Sequence, residues 1–221
     1  MKEKIKEIFN IKGILAYWAI ILIIYGVFLA FTRNYETLTV FYHLALFSFP
    51  LVLIFSKKET CESLGLKKGN VKQGILWLSL ILIFLIGGTY FRAFLLHKSV
   101  SLVFAFSFSF IMTITLGPIS EEIFHRGLLQ TKLEKILGET WGIVFPAIIF
   151  ALIHVPKLLF AKDYVLVSAP LLPALSNPVM SLFVFFGLGM LFGYIYQGTK
   201  SIYYAIVAHI FVNLIMGVFI Y

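Results

Sequence analysis

Apolar residues in this chain come in long unbroken blocks, without the alternation of a half-buried strand or the stripe of a soluble amphipathic helix. Blocks long enough to cross a bilayer fall at about 13–32, 38–56, 74–96, 102–117, 141–160, 179–197 and 201–220. A further stretch, 119–136, follows Gly117-Pro118, and predicts either a continuation of the fourth helix past a kink or a helix of its own. The pattern therefore predicts an all-α polytopic membrane protein of seven or eight transmembrane helices. The segments between blocks are short except at 57–73 and 161–178. The second is apolar but carries Pro170, Pro173 and Pro178, as expected of a re-entrant or interfacial lid. No repeat, low-complexity tract or linker interrupts the run, so residues 1–221 read as one domain.

Composition agrees with lipid as the solvent. The chain is 61% hydrophobic and 13% charged, with a mean hydropathy of +0.99, whereas a soluble domain carries about 25% charge. The net charge of +8 does not point to nucleic acid, because the basic residues sit in short loops between apolar blocks. An N-terminus in the cytoplasm puts twelve lysines on that side against Arg33, Arg92, Lys98, Lys157 and Lys162 outside, which is the expected orientation. The membrane is the cell membrane in a prokaryote or the endoplasmic reticulum in a eukaryote. The basic start, MKEKIKEIFNIKG, lacks a following small-residue cleavage site, and predicts a short interfacial segment ahead of a retained first helix. The single cysteine, Cys61, excludes an internal disulfide and a cysteine-based metal cluster.

Charged side chains inside apolar helices cost a few kcal/mol each, so they are candidates for function. The densest group is Ser120-Glu121-Glu122-Ile123-Phe124-His125-Arg126-Gly127. On a helix Glu122 can pair with Arg126, and Glu121 with His125. Pairing Glu122 with Arg126 leaves Glu121 as the reactive carboxylate. A second element is Phe150-Ala-Leu-Ile-His154, and a third is His209-Ile-Phe-Val-Asn213, where histidine and asparagine share a helix face. Taking helix ends near Leu137, Trp141 and Ser201, Glu121 lies roughly 24 Å from that face, His154 roughly 20 Å, His209 roughly 12 Å and Asn213 roughly 18 Å, at 1.5 Å per residue. These upper limits place all four in one slab inside the hydrocarbon layer.

A carboxylate, two histidines and an asparagine enclosed in an intramembrane cavity suit water activation. Glu121 can serve as general base on a water also held by His154. His209 and Asn213 can donate to the oxyanion formed when that water attacks an amide carbonyl. Glu121, His154 and His209 could alternatively ligate zinc with water in the fourth position. The chain has no His-Glu-x-x-His pattern, and the metal-free reading is favoured. Other uses of such residues are a proton-coupled or ion-coupled transporter or a non-catalytic membrane scaffold. The Gly189 to Gly193 spacing permits close helix packing without specifying a dimer.

The ordered set Glu-Glu-x-x-x-Arg, Phe-x-x-x-His and His-x-x-x-Asn, over residues of about 115–215, resembles the CAAX prenyl protease 2 family. This is the Ras-converting-enzyme group within the CPBP (Abi) family of intramembrane proteases. The stretch Ser63-Leu64-Gly65-Leu66-Lys67 also looks like that family. The resemblance implies an endopeptidase that removes the C-terminal tripeptide after a prenylated cysteine, with a prenylated CAAX protein as partner. It implies Glu121 and His154 as water-activating residues, His209 and Asn213 as oxyanion hole, and Glu122, Arg126 and Phe150 as support. It also implies that immunity-type or non-catalytic members exist.

Overall fold

The protein is described by a computed structural model covering residues 2–32, 35–102, 108–160 and 177–220. Its helices are α1 (Lys2–Thr32), α2 (Tyr35–Phe55), α3 (Val71–Leu95), α4 (Phe108–Glu122), α5 (Thr131–Leu137), α6 (Glu139–Leu152), α7 (Val155–Phe160), α8 (Pro178–Thr199) and α9 (Ile202–Val218). A π-helical stretch, Ile123–Gln130, joins α4 to α5 without a break. The described residues thus form seven helical columns, and five helices are long and apolar enough to cross a membrane. The chain is a multi-pass integral membrane protein. Exposed Ile20, Phe31, Phe41, Phe84 and Phe183 line the outer faces, where lipid is the natural solvent.

The α4–π–α5 column is the axis of the bundle. It runs 30 residues, from Phe108 to Leu137, about 45 Å at helical rise. Every residue from Ser120 to Gln130 is buried. The column packs against α1, α2, α6, α8 and α9. Of the two readings of 119–136, the structure takes the continuation of the fourth helix. Pro118 lies inside α4, which packs against α2 and α9, so the proline removes one backbone donor without ending the helix. The departure from α-helical winding comes at Ile123, five residues later.

The structure adds detail at three places. The basic start is helical and continuous with α1, which runs from Lys2 to Thr32. The apolar block 141–160 lies in one stretch long enough to cross, Glu139–Phe160, which turns at Ile153 and His154 between α6 and α7. Pro156 has no N–H to give the Leu152 carbonyl, so α6 cannot continue, and Leu158 N–H starts α7 on the His154 carbonyl instead. The last block ends as helix at Val218, where Phe219–Ile220 pairs antiparallel with Ser101–Leu102. Of the expected lid at 161–178, only Asn177 and Pro178 are among the described residues. There the Asn177 side chain caps α8, accepting from Val179 N–H at 2.9 Å and Met180 N–H at 3.3 Å.

The segment between α2 and α3 docks on the lysine-rich end. Gly127 makes this possible, because a Cβ there would stand 2.5 Å from the Leu64 carbonyl oxygen. Ile202 N–H donates to Gly65 O at 3.0 Å, and Asn70 N–H to Thr199 O at 2.8 Å. Lys132 on α5 pairs with Glu59 of the same segment. Ser63-Leu64-Gly65-Leu66 is therefore a plug over the α8–α9 turn.

Candidate active site

The intramembrane charge is arranged as a chain of contacts starting from Arg126. Its Nε lies 3.2 Å from Glu122 Oε2, and both side chains are fully buried. Its Nη2 donates to the Gly189 carbonyl at 2.8 Å. One turn on, Gln130 Nε2 donates to the Gly193 carbonyl at 3.1 Å. The four-residue spacing on the column thus matches the four-residue spacing on α8. Gly189 and Gly193 also let α8 approach α6 within the chain, since a Cβ at Gly189 would meet Ala147 Cα at 2.9 Å. The guanidinium stands over Phe150 at 4.8 Å and Phe192 at 5.5 Å from the ring centroids.

Glu122 faces in two directions. Its other oxygen, Oε1, accepts from His209 Nδ1 at 2.9 Å. A carboxylate can only accept, so Nδ1 of His209 carries hydrogen and Nε2 is turned elsewhere. Nε2 lies 3.9 Å from Glu121 Oε2. The Glu121 carboxylate also faces His43 Nδ1, 3.7 Å from its Oε1. Among the described residues Glu121 makes no side-chain hydrogen bond. It is the carboxylate left over, while Glu122 is committed to Arg126 and His209.

The expected Glu121–His125 side-chain pair is not formed. His125 Nδ1 donates to the backbone carbonyl of Glu121 at 2.7 Å, one turn back. This contact uses Nδ1 of the ring within the column, and the Glu121 carboxylate faces His43 of α2 and His209 of α9 instead. Thr131 Oγ1 donates to Arg126 O at 3.1 Å, a contact across the widened π turn. π-Helical insertions of this kind are frequent at functional sites.

Phe150 gathers the histidines. Its ring centroid lies 5.5 Å from His125, 5.5 Å from His154 and 5.6 Å from His209. Phe192 stacks on His209 at 4.7 Å. His154 stacks on Phe185 at 3.7 Å, and its Nδ1 donates to Phe150 O at 3.1 Å. Its Nε2 is therefore the nitrogen available for chemistry. Among the described residues His154 and Glu121 form no ion pair, and the contacts between them run from Glu121 through His209 and Phe150 to His154. Asn213 lies one turn beyond His209 on α9, half-buried.

Glu122 and His209 touch, so the column and α9 bring these two side chains to one level of the bundle. Among the described residues no three histidine, cysteine or carboxylate side chains converge as ligands for a metal ion. Glu121, His154 and His209, as they stand, do not form the three-ligand zinc set.

Residues 103–215, 113 of the 221, match the family described as Type II CAAX prenyl endopeptidase, Rce1-like. The chain belongs to this family. No curated protein and no solved structure matches it. As an Rce1-like protein it is a protease of CAAX type within the membrane, for which the substrate class in general is a prenylated CAAX protein. The matched segment contains every residue of the Glu-Glu-x-x-x-Arg, Phe-x-x-x-His and His-x-x-x-Asn elements. It does not reach His43 on α2 or the plug over the α8–α9 turn. His43 escaped the reading of the sequence, although the cost of a polar group in an apolar helix applies to it equally. It has no chemistry-bearing neighbour at helical spacing, and its partner Ser120 is 77 positions away.

Proposed function

We propose that this Rce1-like protein removes the C-terminal tripeptide after a prenylated cysteine, using a water activated by Glu121. The observation that carries the reading is the inequality of the two glutamates. Glu122 is held at both oxygens by Arg126 and His209, and Glu121 stands unbonded among imidazoles.

In this reading His154 accepts one hydrogen of the water at Nε2, while Glu121 takes the other proton as the oxygen attacks the scissile carbonyl. The carbonyl becomes an oxyanion, and Asn213 and His209 donate to it. His209 can donate from Nε2 only as imidazolium, because Nδ1–H is already given to Glu122. An imidazolium at His209 and the Arg126 guanidinium offset the two carboxylates, and Lys157 adds a further positive group acting on Glu121. The proton taken by Glu121 passes to the leaving amine, and the peptide bond breaks. The peptide comes from the lysine-rich, cytoplasmic side, and the prenyl tail sits in lipid between helices.

The test is cleavage of a farnesylated CAAX peptide by the purified protein. Glu121→Gln, His154→Ala and His209→Ala are each expected to lower turnover by about a hundredfold or more. Wild-type turnover in all three variants overturns the assignment.

A further inference from the structure

His43 brings a third imidazole to Glu121 from outside the family-matched segment. It is buried on α2, with 5% of its surface exposed. Ser120 Oγ donates to the Gly117 carbonyl at 3.0 Å and lies 3.0 Å from His43 Nδ1. With its hydrogen spent on Gly117, the hydroxyl can only accept from the imidazole, so Nδ1 of His43 carries hydrogen. The same Nδ1–H stands 3.7 Å from Glu121 Oε1. The ring packs against Gly117, whose Cβ position is 3.5 Å from His43 Nε2, an ordinary van der Waals distance.

The two oxygens of Glu121 are thus bracketed by different helices. His43 faces Oε1 from α2, and His209 faces Oε2 from α9, at 3.9 Å. The last torsion of a glutamate is broad, so a carboxylate held from one side only samples many planes. We propose that His43 is a positioning residue for the reaction. Its Nδ1–H swings from Ser120 to Oε1 of Glu121, fixes the carboxylate plane, and leaves Oε2, beside His209, as the oxygen that takes the proton from water. This inference rests on Glu121 being the general base.

A positioning role and a packing role differ in what they move. Turnover of a prenylated CAAX peptide is measured for His43→Leu, His43→Asn, Ser120→Ala and Glu121→Gln, with melting temperature and elution volume in detergent as folding controls. His43→Leu is expected to lower kcat about tenfold or more, with KM within about twofold. His43→Asn, whose amide N–H falls near the Nδ1 position, is expected to recover most of the loss. Ser120→Ala is expected to keep kcat within about threefold, since Nδ1–H then has Glu121 as its acceptor. Folded His43→Leu at the wild-type rate overturns the proposal. So does Ser120→Ala losing as much kcat as His43→Leu, because His43 is then only a clasp between α2 and α4. If His43→Leu does not fold, His43→Gln replaces it, its amide falling near Nε2. Gln is expected to be slow where Asn is fast, and equal rates overturn the proposal. Full activity in Glu121→Gln instead removes the general-base reading itself, whereas inactive Glu121→Gln beside fully active His43→Leu removes His43 alone.

Discussion

His209 Nδ1 and Glu122 Oε1 stand 2.9 Å apart, although 87 positions separate the two residues in the chain. The contact fixes which nitrogen of His209 faces Glu121, and it completes the coordination of a carboxylate already paired with Arg126. Removing Glu122 leaves Arg126 as an uncompensated charge in the core. Glu122→Ala is therefore expected to cost about 3–5 kcal/mol of stability, read from unfolding in detergent. Glu122→Leu with Arg126→Met restores apolar packing and is expected to recover most of that stability without recovering turnover. Recovery of both by the double variant refutes the role given to Glu122 in orienting His209.

Phe150 is the common neighbour of His125, His154 and His209, and it lies beneath the Arg126 guanidinium. Truncation opens a cavity bordered by three imidazoles and a charge. Phe150→Ala is expected to lose about 3–5 kcal/mol and nearly all turnover. Phe150→Leu keeps bulk but not the flat ring, and is expected to fold while turning over at least about tenfold more slowly. Steady-state rates on folded Phe150→Leu decide whether the ring positions the histidines or only fills space.

The column order of this protein was legible in its sequence because hydrocarbon requires long apolar helices. Glu122 with Arg126 was legible too, since four residues on a helix bring side chains together. The feature absent from local spacing is the π turn at Ile123–Gln130, which arises from a five-residue hydrogen-bond pattern with no residue signature. His43 meets Ser120 only when α2 packs on α4. The contact of His209 with Glu122 joins residues 87 positions apart, so no local spacing announces it. Gly117-Pro118 left a continued helix and a separate one both open, and the packing of α4 on α2 and α9 accompanies the continuation.

The match between Arg126 with Gln130 and Gly189 with Gly193 makes α8 sensitive to small changes. A Cβ at Gly189 falls 2.9 Å from Ala147 Cα, and backbone cannot turn aside as a side chain can. Gly189→Ala is expected to destabilise the protein by about 1–3 kcal/mol. The shift also moves the carbonyl that Arg126 uses, so turnover falls with stability. A melting temperature equal to wild type for Gly189→Ala contradicts this packing.

The dispersed donors bear on metal dependence. Glu121 faces His43 and His209, while His154 is stacked on Phe185 and bonded to its own helix. Activity in the presence of a strong chelator is expected to equal that without it, after dialysis against metal-free buffer. Loss on chelation, restored by added zinc and by no other ion, shows that the three donors rearrange around a metal in the working enzyme.

His154 separates stacking from chemistry more cleanly than any other residue of the site. Its ring lies parallel to Phe185, with 16° between planes, and its Nδ1 is occupied by the Phe150 carbonyl. His154→Phe keeps the stacked ring and removes Nε2. The turn between α6 and α7 is set by Pro156 and not by this ring, so the fold is expected to survive with little change in melting temperature. The water in the proposed mechanism then loses one of its two acceptors, and turnover is expected to fall about a hundredfold or more, with KM nearly unchanged because the substitution touches no peptide-binding contact in the scheme. His154→Gln, with an amide reaching towards the Nε2 position, is expected to retain more activity than His154→Phe. Equal rates for Phe and wild type, on protein of equal stability, leave His154 as a packing residue and transfer its part in holding water to another group.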